Sequence, residues 1–563
     1  MHARYAVAFG RGAHRHALRE RASAAGLAIH ADWPGMLLLA DERTAVITGG
    51  QSAVIGQMFT EGGERLQSLG GTIAEPQQVL NCWGNFVFFS GGEDAAACAY
   101  RDPSGSIPVY HLSGTGGGLF VPDADVAAAL GLIEGFAADP GFAVHWLQFP
   151  YLRSSRSGVE NVRELLPGTV CRKANGQWID TPLWQPWDHA RGNDQWRDFD
   201  DAVEALRSVA LCAVAKQLSA APVLLQLSGG LDSSIIAACL HHAEIPFSAV
   251  TFATRSADGD ERRHARTVAG AFGAVLSEIT EDELQCSLPP PPGRTFRPGS
   301  NPVLLPLDRA IEKHRREIGG ALLVDGGGGD NLFCYLTSAA PVLDALRAAG
   351  PRTALAAARD VAERAECNLW QVAGGALRRA RPARRRWKED RRFLNGEALL
   401  PGPDSHPWLG APCFSLPGKR DHVASLVQIQ HFLDRRLTAG TAALHPLMAK
   451  PLLELCLAIP TWLWIRGGID RSAAREAFRQ LLPASILERR SKGSLQGLFH
   501  RFFDRLCGEL KDLLLSGELR ELRILDAVAV EQAFAAENWT QEEVQMRLSE
   551  MATLELWLQS WAR

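Results

Sequence analysis

The sequence predicts a two-domain protein, with an N-terminal α+β domain and a C-terminal α/β domain in which helices are added to a parallel sheet. Two observations lead to this fold class. Up to about residue 190, short apolar segments follow one another at hairpin-like spacing between Gly, Pro and Asp turns. From about Asp198, strand-like and helix-like segments alternate, which is typical of a parallel sheet. We therefore place the domains at residues 1–190 and 191–563, each long enough for a core of its own.

Composition excludes several classes of protein. The net charge is only −4, so nothing in the overall charge indicates a nucleic-acid or membrane partner. No apolar run approaches the roughly 18 residues that span a bilayer, and the N-terminal apolar segment is too short for a secretory signal. The 11 cysteines form no C-x-x-C pair, which indicates reduced thiols and argues against a zinc site. We expect a cytoplasmic protein.

The strand candidates of the first domain are short apolar runs bounded by turn residues. Turns rich in Gly, Pro and Asp separate these runs at hairpin-like spacing. They are RYAVAF, GMLLLA, TAVITG, NFVFFSG, ACAYRD and GLFVPD.

The second domain begins with three strand candidates separated by two helix candidates. The strands are predicted at Val223–Leu227, Ser248–Ala253 and Val275–Ile279, and the helices at Ser234–His242 and Arg262–Phe272. Strand Val223–Leu227 does not alternate apolar and polar residues, so both of its faces should be covered. A doubly wound parallel sheet results, and such sheets bind ligands at the carboxyl ends of their strands.

The turn Ser228–Ser234 lies at one of these strand ends. Its Ser-Gly-Gly start directs backbone N–H groups outward and is suited to an anion such as a polyphosphate. Asp232 would repel phosphate unless a divalent cation lies between them, most plausibly Mg²⁺. For the glycine turn alone, the alternative is an ordinary helix start with Asp232 as a helix-start residue. The complete string of seven residues is more specific.

A second loop repeats this arrangement after the apolar segment Ala321–Val324. Asp325 is followed by four glycines and then by Asp330. Four consecutive glycines oppose folding entropically, so we expect the backbone to approach a ligand closely here. Asp232 and Asp330 would then flank one Mg²⁺. Between the two loops, the strand around Phe252 offers backbone groups for an adenine ring.

These motifs resemble those of the asparagine synthetase family. SGGLDSS is similar to the pyrophosphate loop of the ATP pyrophosphatases, VDGGGGDNLF to the segment that closes the ATP site, and DRSAAREAFRQLLPASILERRSKGSLQG to the segment with the essential lysine. CAYRDPSGSIPVYH and NVRELLPGTV resemble parts of the glutamine amidotransferase domain of the family. The resemblance implies an Ntn-type sandwich before an ATP-pyrophosphatase fold.

The resemblance also implies the roles of individual residues. Lys492 corresponds to the essential lysine, although a surface charge is the alternative for a lysine in RRSKGS. Catalysis is assigned to Lys492, Asp232 and Asp330, and Mg²⁺ binding to Asp232 and Asp330. The residues expected to bind ATP are Leu227, Ser228, Gly229, Gly230, Asp232, Ser233, Ser234, Phe252, Asp325 and Gly326.

The chain departs from the family pattern at two positions. Glutamine-hydrolysing members begin Met-Cys, whereas position 2 here is His2, so we expect no use of glutamine. The third residue of the glycine loop is a glutamate in asparagine synthetases and a tyrosine in β-lactam synthetases, but Gly327 here. We expect the vacated space to suit a larger acyl substrate. Both departures resemble the lasso peptide cyclases, which join an Asp or Glu side chain of a precursor peptide to its N-terminal amine.

Membership of that branch implies a precursor peptide, a leader-binding protein and a leader peptidase as partners. The alternatives are an ammonia-dependent asparagine synthetase or a β-lactam synthetase-like amide ligase, and an RNA-modifying ATP pyrophosphatase. The last would use the basic segment Arg378–Arg392, although a solvated surface is the more common role of such a charge run. The amidotransferase-like domain argues against RNA, so we expect no nucleic acid.

Overall fold

A computed structural model gives the fold of the chain. It describes residues 3–10, 13–70, 75–91, 97–113, 117–191, 196, 198–219, 221–256, 259–380, 387–433, 436–438, 441–490, 493, 496–536 and 542–562. His2, Lys492 and residues 381–386, four of which are arginines, lie outside these residues.

The first region is rich in antiparallel strands. Its strands are β1 (Tyr5–Phe9), β2 (Ala28–Asp32), β3 (Met36–Ala40), β4 (Val46–Gly49), β5 (Ser52–Thr60), β6 (Cys82–Ser90), β7 (Cys98–Arg101), β8 (Tyr110–Leu112), β9 (Leu119–Val121), β10 (Val162–Glu164), β11 (Thr169–Ala174) and β12 (Gln177–Pro182). Its helices are α1 (Ala13–Ala22), α2 (Ala124–Ala129), α3 (Pro140–Gln148) and α4 (Pro186–His189).

In the described residues these strands form two six-stranded sheets, ordered β10-β8-β9-β1-β3-β2 and β12-β11-β7-β6-β5-β4. Strand β6 shows why both faces of the second sheet are apolar. Val87 and Phe89 pack into the core between the sheets, whereas Phe86 and Phe88 pack into a cluster on the opposite face. Successive strand residues point to opposite faces, so a strand buried on both faces loses the polar alternation.

The second region holds the parallel sheet and most of the helices. Its strands are β13 (Val223–Gln226), β14 (Phe247–Ala253), β15 (Val275–Thr280), β16 (Leu322–Val324), β17 (Arg436–Thr438), β18 (Thr441–Ala442), β19 (Ile465–Arg466) and β20 (Ile469–Asp470). Its helices are α5 (Phe199–Leu218), α6 (Leu231–His242), α7 (Arg262–Phe272), α8 (Leu305–Glu317), α9 (Gly329–Leu332), α10 (Ala340–Ala349), α11 (Pro351–Arg364), α12 (Leu369–Ala380), α13 (Pro417–Leu433), α14 (Lys450–Ala458), α15 (Ser472–Ala477), α16 (Ala484–Leu487), α17 (Gln496–Leu515), α18 (Glu518–Glu521), α19 (Ala527–Ala535) and α20 (Glu542–Ala562).

The parallel sheet has the strand order β15-β14-β13-β16. Its pairs are parallel, with Leu225 opposite Ala249 in β14 and Val324 in β16, which confirms the predicted parallel sheet. Leu444 adds a parallel bridge beside Val324, although it is 120 residues further along the chain. One predicted boundary was wrong: helix α6 begins at Leu231, three residues before the predicted start, so Asp232 lies in its first turn.

The two regions share their hydrophobic clusters. Trp83 and Trp184 of the first region pack into the same cluster as strand β13 and helix α14. The Trp184 indole donates a hydrogen bond to Glu454 Oε1 at 2.8 Å, and the buried Lys450 ammonium donates to the Leu80 and Cys82 carbonyls. The boundary at residue 190 stays a prediction. In the described part of the chain, no helix is both long and apolar enough to cross a membrane.

Candidate active site

The carboxyl ends of β13, β14 and β16 meet at a cavity of about 560 Å³, called here the glycine-loop cavity. Parallel strands bring their carboxyl ends to one edge, which is why segments far apart in sequence meet there. The turn after β13 forms one wall and the four glycines after β16 form another. Arginines from the segment 471–490 face them.

The turn after β13 is held by its own backbone and hydroxyl groups. Gly229 has φ +66°, and a Cβ there would collide with His264 of helix α7, so only glycine fits. Gly230 caps helix α6, and its N–H donates to Ser228 Oγ at 3.2 Å. The first turn of α6 lines the cavity, so the N-terminus of this helix faces it and favours an anion there.

Neighbouring protein atoms leave no room for a side chain at the four glycines of the second loop. A Cβ on Gly326 would lie 2.9 Å from Ser233 N, and one on Gly329 would collide with the Asp232 side chain. Gly328 has φ +86° and would meet Met448. The loop thus packs directly against the first turn of α6. This close packing, which the sequence-based reasoning attributed to a ligand, brings the two aspartates together.

Gly327 is the third residue of the loop counted from Asp325. Its surroundings contradict the expectation that the space there is vacated for a larger acyl substrate. The space beside it is not vacated: a Cβ at Gly327 would lie 2.6 Å from His445 Nδ1. His445 Nδ1 is also 2.6 Å from Asp325 Oδ1, and Nε2 is 3.0 Å from the Leu433 carbonyl oxygen. Burial favours the neutral imidazole, but the Asp325 carboxylate outweighs it and raises the pKa of His445.

Arg471 joins the two aspartates that were predicted to bind a metal. Its Nη1 contacts Asp330 Oδ1 and lies 3.3 Å from Asp232 Oδ1. Both carboxylates therefore converge on one positive charge, so their positions suit a divalent cation. Two carboxylates with phosphate oxygens and water are a usual Mg²⁺ ligand set in nucleotide enzymes. The residues present fit Mg²⁺ on this ground.

The conformation of Arg471 is fixed by further contacts. Its backbone has φ +50°, in the left-handed region that non-glycine residues seldom adopt. Asp470 Oδ1 accepts a hydrogen bond from Arg471 Nε at 2.9 Å, and Arg475 Nη2 lies 3.1 Å from the same oxygen. Burial would raise the pKa of Asp470, but these two guanidinium charges outweigh it and lower the pKa. Asp470 and Arg471 therefore stay ionised in the cavity wall.

A second guanidinium closes the other side of the turn. Arg489 Nη1 donates to the Gly229 carbonyl at 3.2 Å, and Nη2 donates to Glu261 Oε1 at 2.7 Å. The Gly493 N–H donates to the same Glu261 oxygen at 2.9 Å. The chain on both sides of Lys492 is therefore anchored beside the Ser228–Ser234 turn. Lys492 itself lies outside the described residues.

Most of the predicted site residues meet at this cavity. Those in its wall are Leu227, Ser228, Gly230, Asp232, Ser233, Phe252, Asp325, Gly326 and Asp330. Gly229 and Ser234 are not in the wall: Gly229 packs on α7, and the Ser234 hydroxyl is fully buried without a hydrogen-bond partner among the described residues. The sequence-based reasoning missed His445, Arg471 and Arg489. The string DRSAAR contained Arg471, but nothing local marks its approach to the two loops.

A parallel sheet with an anion-binding turn and paired carboxylates at its strand ends is typical of ATP-dependent α/β enzymes. A family model described as asparagine synthase matches residues 205–559, more than half of the chain. The chain therefore belongs to the asparagine synthase family, whose members are ATP-dependent amide-forming ligases.

Two other comparisons add little. A solved structure described as the allosteric regulatory enzyme of purine biosynthesis is similar at 10% identity and a TM-score of 0.21, covering 57% of this chain and 89% of that chain. A TM-score this low carries no argument about fold or function. No curated protein matched the chain.

Proposed function

We propose that this ligase is a lasso peptide cyclase. It adenylates an Asp or Glu side chain of a precursor peptide and joins that group to the N-terminal amine of the same peptide. AMP and pyrophosphate are released, and the product is a macrolactam one water lighter than the peptide. A leader-binding protein and a leader peptidase would act with it, because the amine must be exposed before the ring can close.

One observation carries the choice of a peptide over a small amino acid. The glycine-loop cavity shares the wall residue Tyr335 with a second cavity of about 510 Å³, called here the middle cavity. Gly327, where small-substrate relatives carry a contacting side chain, has no room for one beside His445. The support for a peptide is the second cavity: because the two cavities adjoin at Tyr335, a substrate longer than one amino acid has further binding space beside the glycine loops.

The residues divide the proposed reaction between them. The substrate carboxylate attacks the α-phosphorus of ATP, and the turn Ser228–Ser234 with the α6 N-terminus binds the departing pyrophosphate. Mg²⁺, held by Asp232 and Asp330, would neutralise phosphate charge. Lys492 neutralises charge that develops at the α-phosphate and at the oxyanion. The peptide amine has an ordinary pKa of about 8, so a sizeable neutral fraction is ready to attack without a dedicated base.

The described part of the basic segment gives no support to an RNA substrate. In its described part, Arg379 pairs with Asp421, Arg391 with Glu389 and Arg392 with Asp390. These acids offset the positive charge, whereas an RNA-binding surface presents its charges to phosphates.

The proposal is tested with the full chain, ATP, Mg²⁺ and the precursor peptides encoded near its gene, together with the leader peptidase and leader-binding protein. Intact-mass analysis should show a peptide one water lighter than its core peptide, and chromatography should show AMP. The matched control is the same peptide with its ring-forming Asp or Glu changed to Asn or Gln, which should give no dehydrated product. Dehydration of that control, or ADP in place of AMP, would contradict the adenylate route.

The same assay separates the alternatives. Free aspartate with ammonia tests an asparagine synthetase, and small β-amino acids test a β-lactam synthetase-like ligase. Turnover of either small substrate at a rate above that of the peptides would replace the cyclase assignment.

A further inference from the structure

A third cavity, of about 390 Å³, lies where the first region meets helix α20 and the end of helix α13. It is called here the aromatic cavity. Its walls come from the first region, the loop 294–304, the end of α13 and the middle of α20. The aromatic side chains that line it are Tyr110, Trp146, Tyr151, Phe296, His431 and Phe432.

Four of these rings form a connected group at one side of the cavity. The Trp146 and His431 rings are 5.6 Å apart, and Tyr151 lies 5.3 Å from His431 and 5.0 Å from Phe432. Phe432 nevertheless remains 47% exposed. A phenylalanine held among other rings with half its surface uncovered gains free energy from an apolar ligand that covers it.

The charged groups near this cavity are engaged with protein partners. Arg297 pairs with Glu164 at 3.3 Å and lies over the Phe142 ring, and the Arg294 guanidinium lies over the Trp561 ring. The wall carries three arginines, Arg153, Arg294 and Arg297, and three acids, Asp123, Asp125 and Glu550. The two signs balance, so the wall favours neither a cationic nor an anionic ligand, and a neutral apolar group fits best.

Shared wall residues place the aromatic cavity next in a row of three cavities that ends at the site of the proposed chemistry. It shares Tyr151, Met546 and Glu550 with the middle cavity, which in turn shares Tyr335 with the glycine-loop cavity. A second connection runs through the protein: Leu433, next to Phe432, accepts the hydrogen bond of His445, which is paired with Asp325. The three cavities follow one another as the binding sites of one extended ligand would.

We propose that the aromatic cavity binds an apolar or aromatic side chain of the peptide whose carboxylate is activated at the glycine loops. This inference rests on the proposed peptide substrate. It assigns the first region a part in substrate recognition, since Trp146 and Tyr151 belong to that region. Covering Phe432 and its neighbours would hold the distant part of the peptide while the ring closes, which raises the effective concentration of the reacting groups.

Binding is tested without turnover, using N-acetyl-4-fluorophenylalanine amide as the probe and its fluorine NMR signal as the readout. The full-length protein should broaden this signal, and Phe432→Ala should weaken binding about 10-fold, because it removes an aromatic wall. Phe432 is already half exposed, so this variant should fold. The matched control is Phe414→Ala: Phe414 is 97% exposed and lines none of the three cavities.

Two results would overturn the site: equal broadening by the wild-type protein and Phe432→Ala, or displacement of the probe by an ATP analogue. Trp146→Leu provides a second variant and should also weaken probe binding. A precursor peptide that is cyclised should show a KM raised about 10-fold by Phe432→Ala with its kcat nearly unchanged. If no peptide is cyclised while the probe still binds at Phe432, the proposed function fails and the apolar site stands.

Discussion

One cluster of charged groups in the first region and one in the second differ in how far they are buried. In the first region, Glu164 is fully buried and receives hydrogen bonds from Arg101 and Arg153, which are also buried. In the second, the side chains of Asp232 and Asp330 are 15% and 35% exposed beside a cavity, where Arg471 bridges them. Removing one partner of the buried cluster would leave an uncompensated buried charge, whereas the two carboxylates at the cavity are partly exposed to whatever the cavity binds.

The antiparallel sheets of the first region and the parallel sheet of the second also differ in where their strands end. The antiparallel sheets of the first region pack against each other through one apolar cluster, and a second apolar cluster covers the other face of the β6 sheet. The parallel sheet of the second region gathers its strand ends at one edge, where the turn Ser228–Ser234 and the loop 325–330 meet. We therefore expect the chemistry in the second region, and support or recognition in the first.

The largest expected effect is the loss of a carboxylate from the cavity of the second region. Asp330→Asn should lower turnover at least about 1,000-fold, because a phosphate-bound cation loses a charged ligand worth several kcal/mol. Binding of a non-hydrolysable ATP analogue should also lose its dependence on Mg²⁺. Asp282→Asn is the matched control, since that carboxylate is 67% exposed and pairs with Arg255 at the surface. Near wild-type turnover of Asp330→Asn in saturating Mg²⁺ would contradict the site.

Lys492→Ala should have the next largest effect, again confined to the second region. If the lysine acts on charge that develops in the transition state, kcat should fall by 100- to 1,000-fold, or roughly 3–4 kcal/mol, with little change in the affinity for ATP. Lys313→Ala is the control, because its side chain is 80% exposed. A change confined to KM for ATP would make Lys492 a binding residue.

The sequence predicted the parallel sheet because its signals are local. Strands β13 and β14 are apolar runs bounded by turn residues, and the helix between them follows a glycine turn. The strand candidates of the first region were found in the same way, and β1 and β3 lie within the predicted segments. Turn chemistry and burial on both faces leave a pattern that a short window of sequence can show.

The site residues that the sequence did not reveal reach the cavity through contacts between distant segments. His445 reaches the glycine loop because Leu444 bridges Val324, a pairing that leaves no mark in either segment. Arg471 meets Asp232 across 239 residues and from a left-handed backbone. The string of four glycines correctly indicated a close approach, but a sequence cannot say whether the approaching atoms belong to a ligand or to Asp232 and His445.

A smaller effect is expected from filling the space beside Gly327. Gly327→Ala places a Cβ 2.6 Å from His445 Nδ1, and such overpacking should lower the free energy of unfolding by about 1–3 kcal/mol. Gly402→Ala is the control, since no atom lies within 4 Å of its added Cβ. Thermal unfolding measures both.

The double variant Gly327→Ala with His445→Ala identifies the cause. Removing the imidazole should restore part of the lost stability, because it removes the closer of the two crowding groups and leaves Asp325 Oδ1 at 2.8 Å from the added methyl. If the double variant is destabilised by the sum of the two single changes, the steric account of the loop is wrong.

The last prediction concerns the first region: added glutamine should have no effect. Glutamine hydrolysis in related enzymes uses a thiolate, and all three cysteines that precede residue 190 are described and buried. Burial raises the pKa of Cys98 to about 11, and it also raises the pKa of Cys82 and Cys171, so these thiols stay protonated at neutral pH. Added glutamine should therefore release no glutamate and leave turnover unchanged. Iodoacetamide applied to the folded protein should label the exposed Cys212 and Cys413 and spare those three. Glutamate release that falls on Cys98→Ser would instead assign chemistry to the first region and end the contrast between the two.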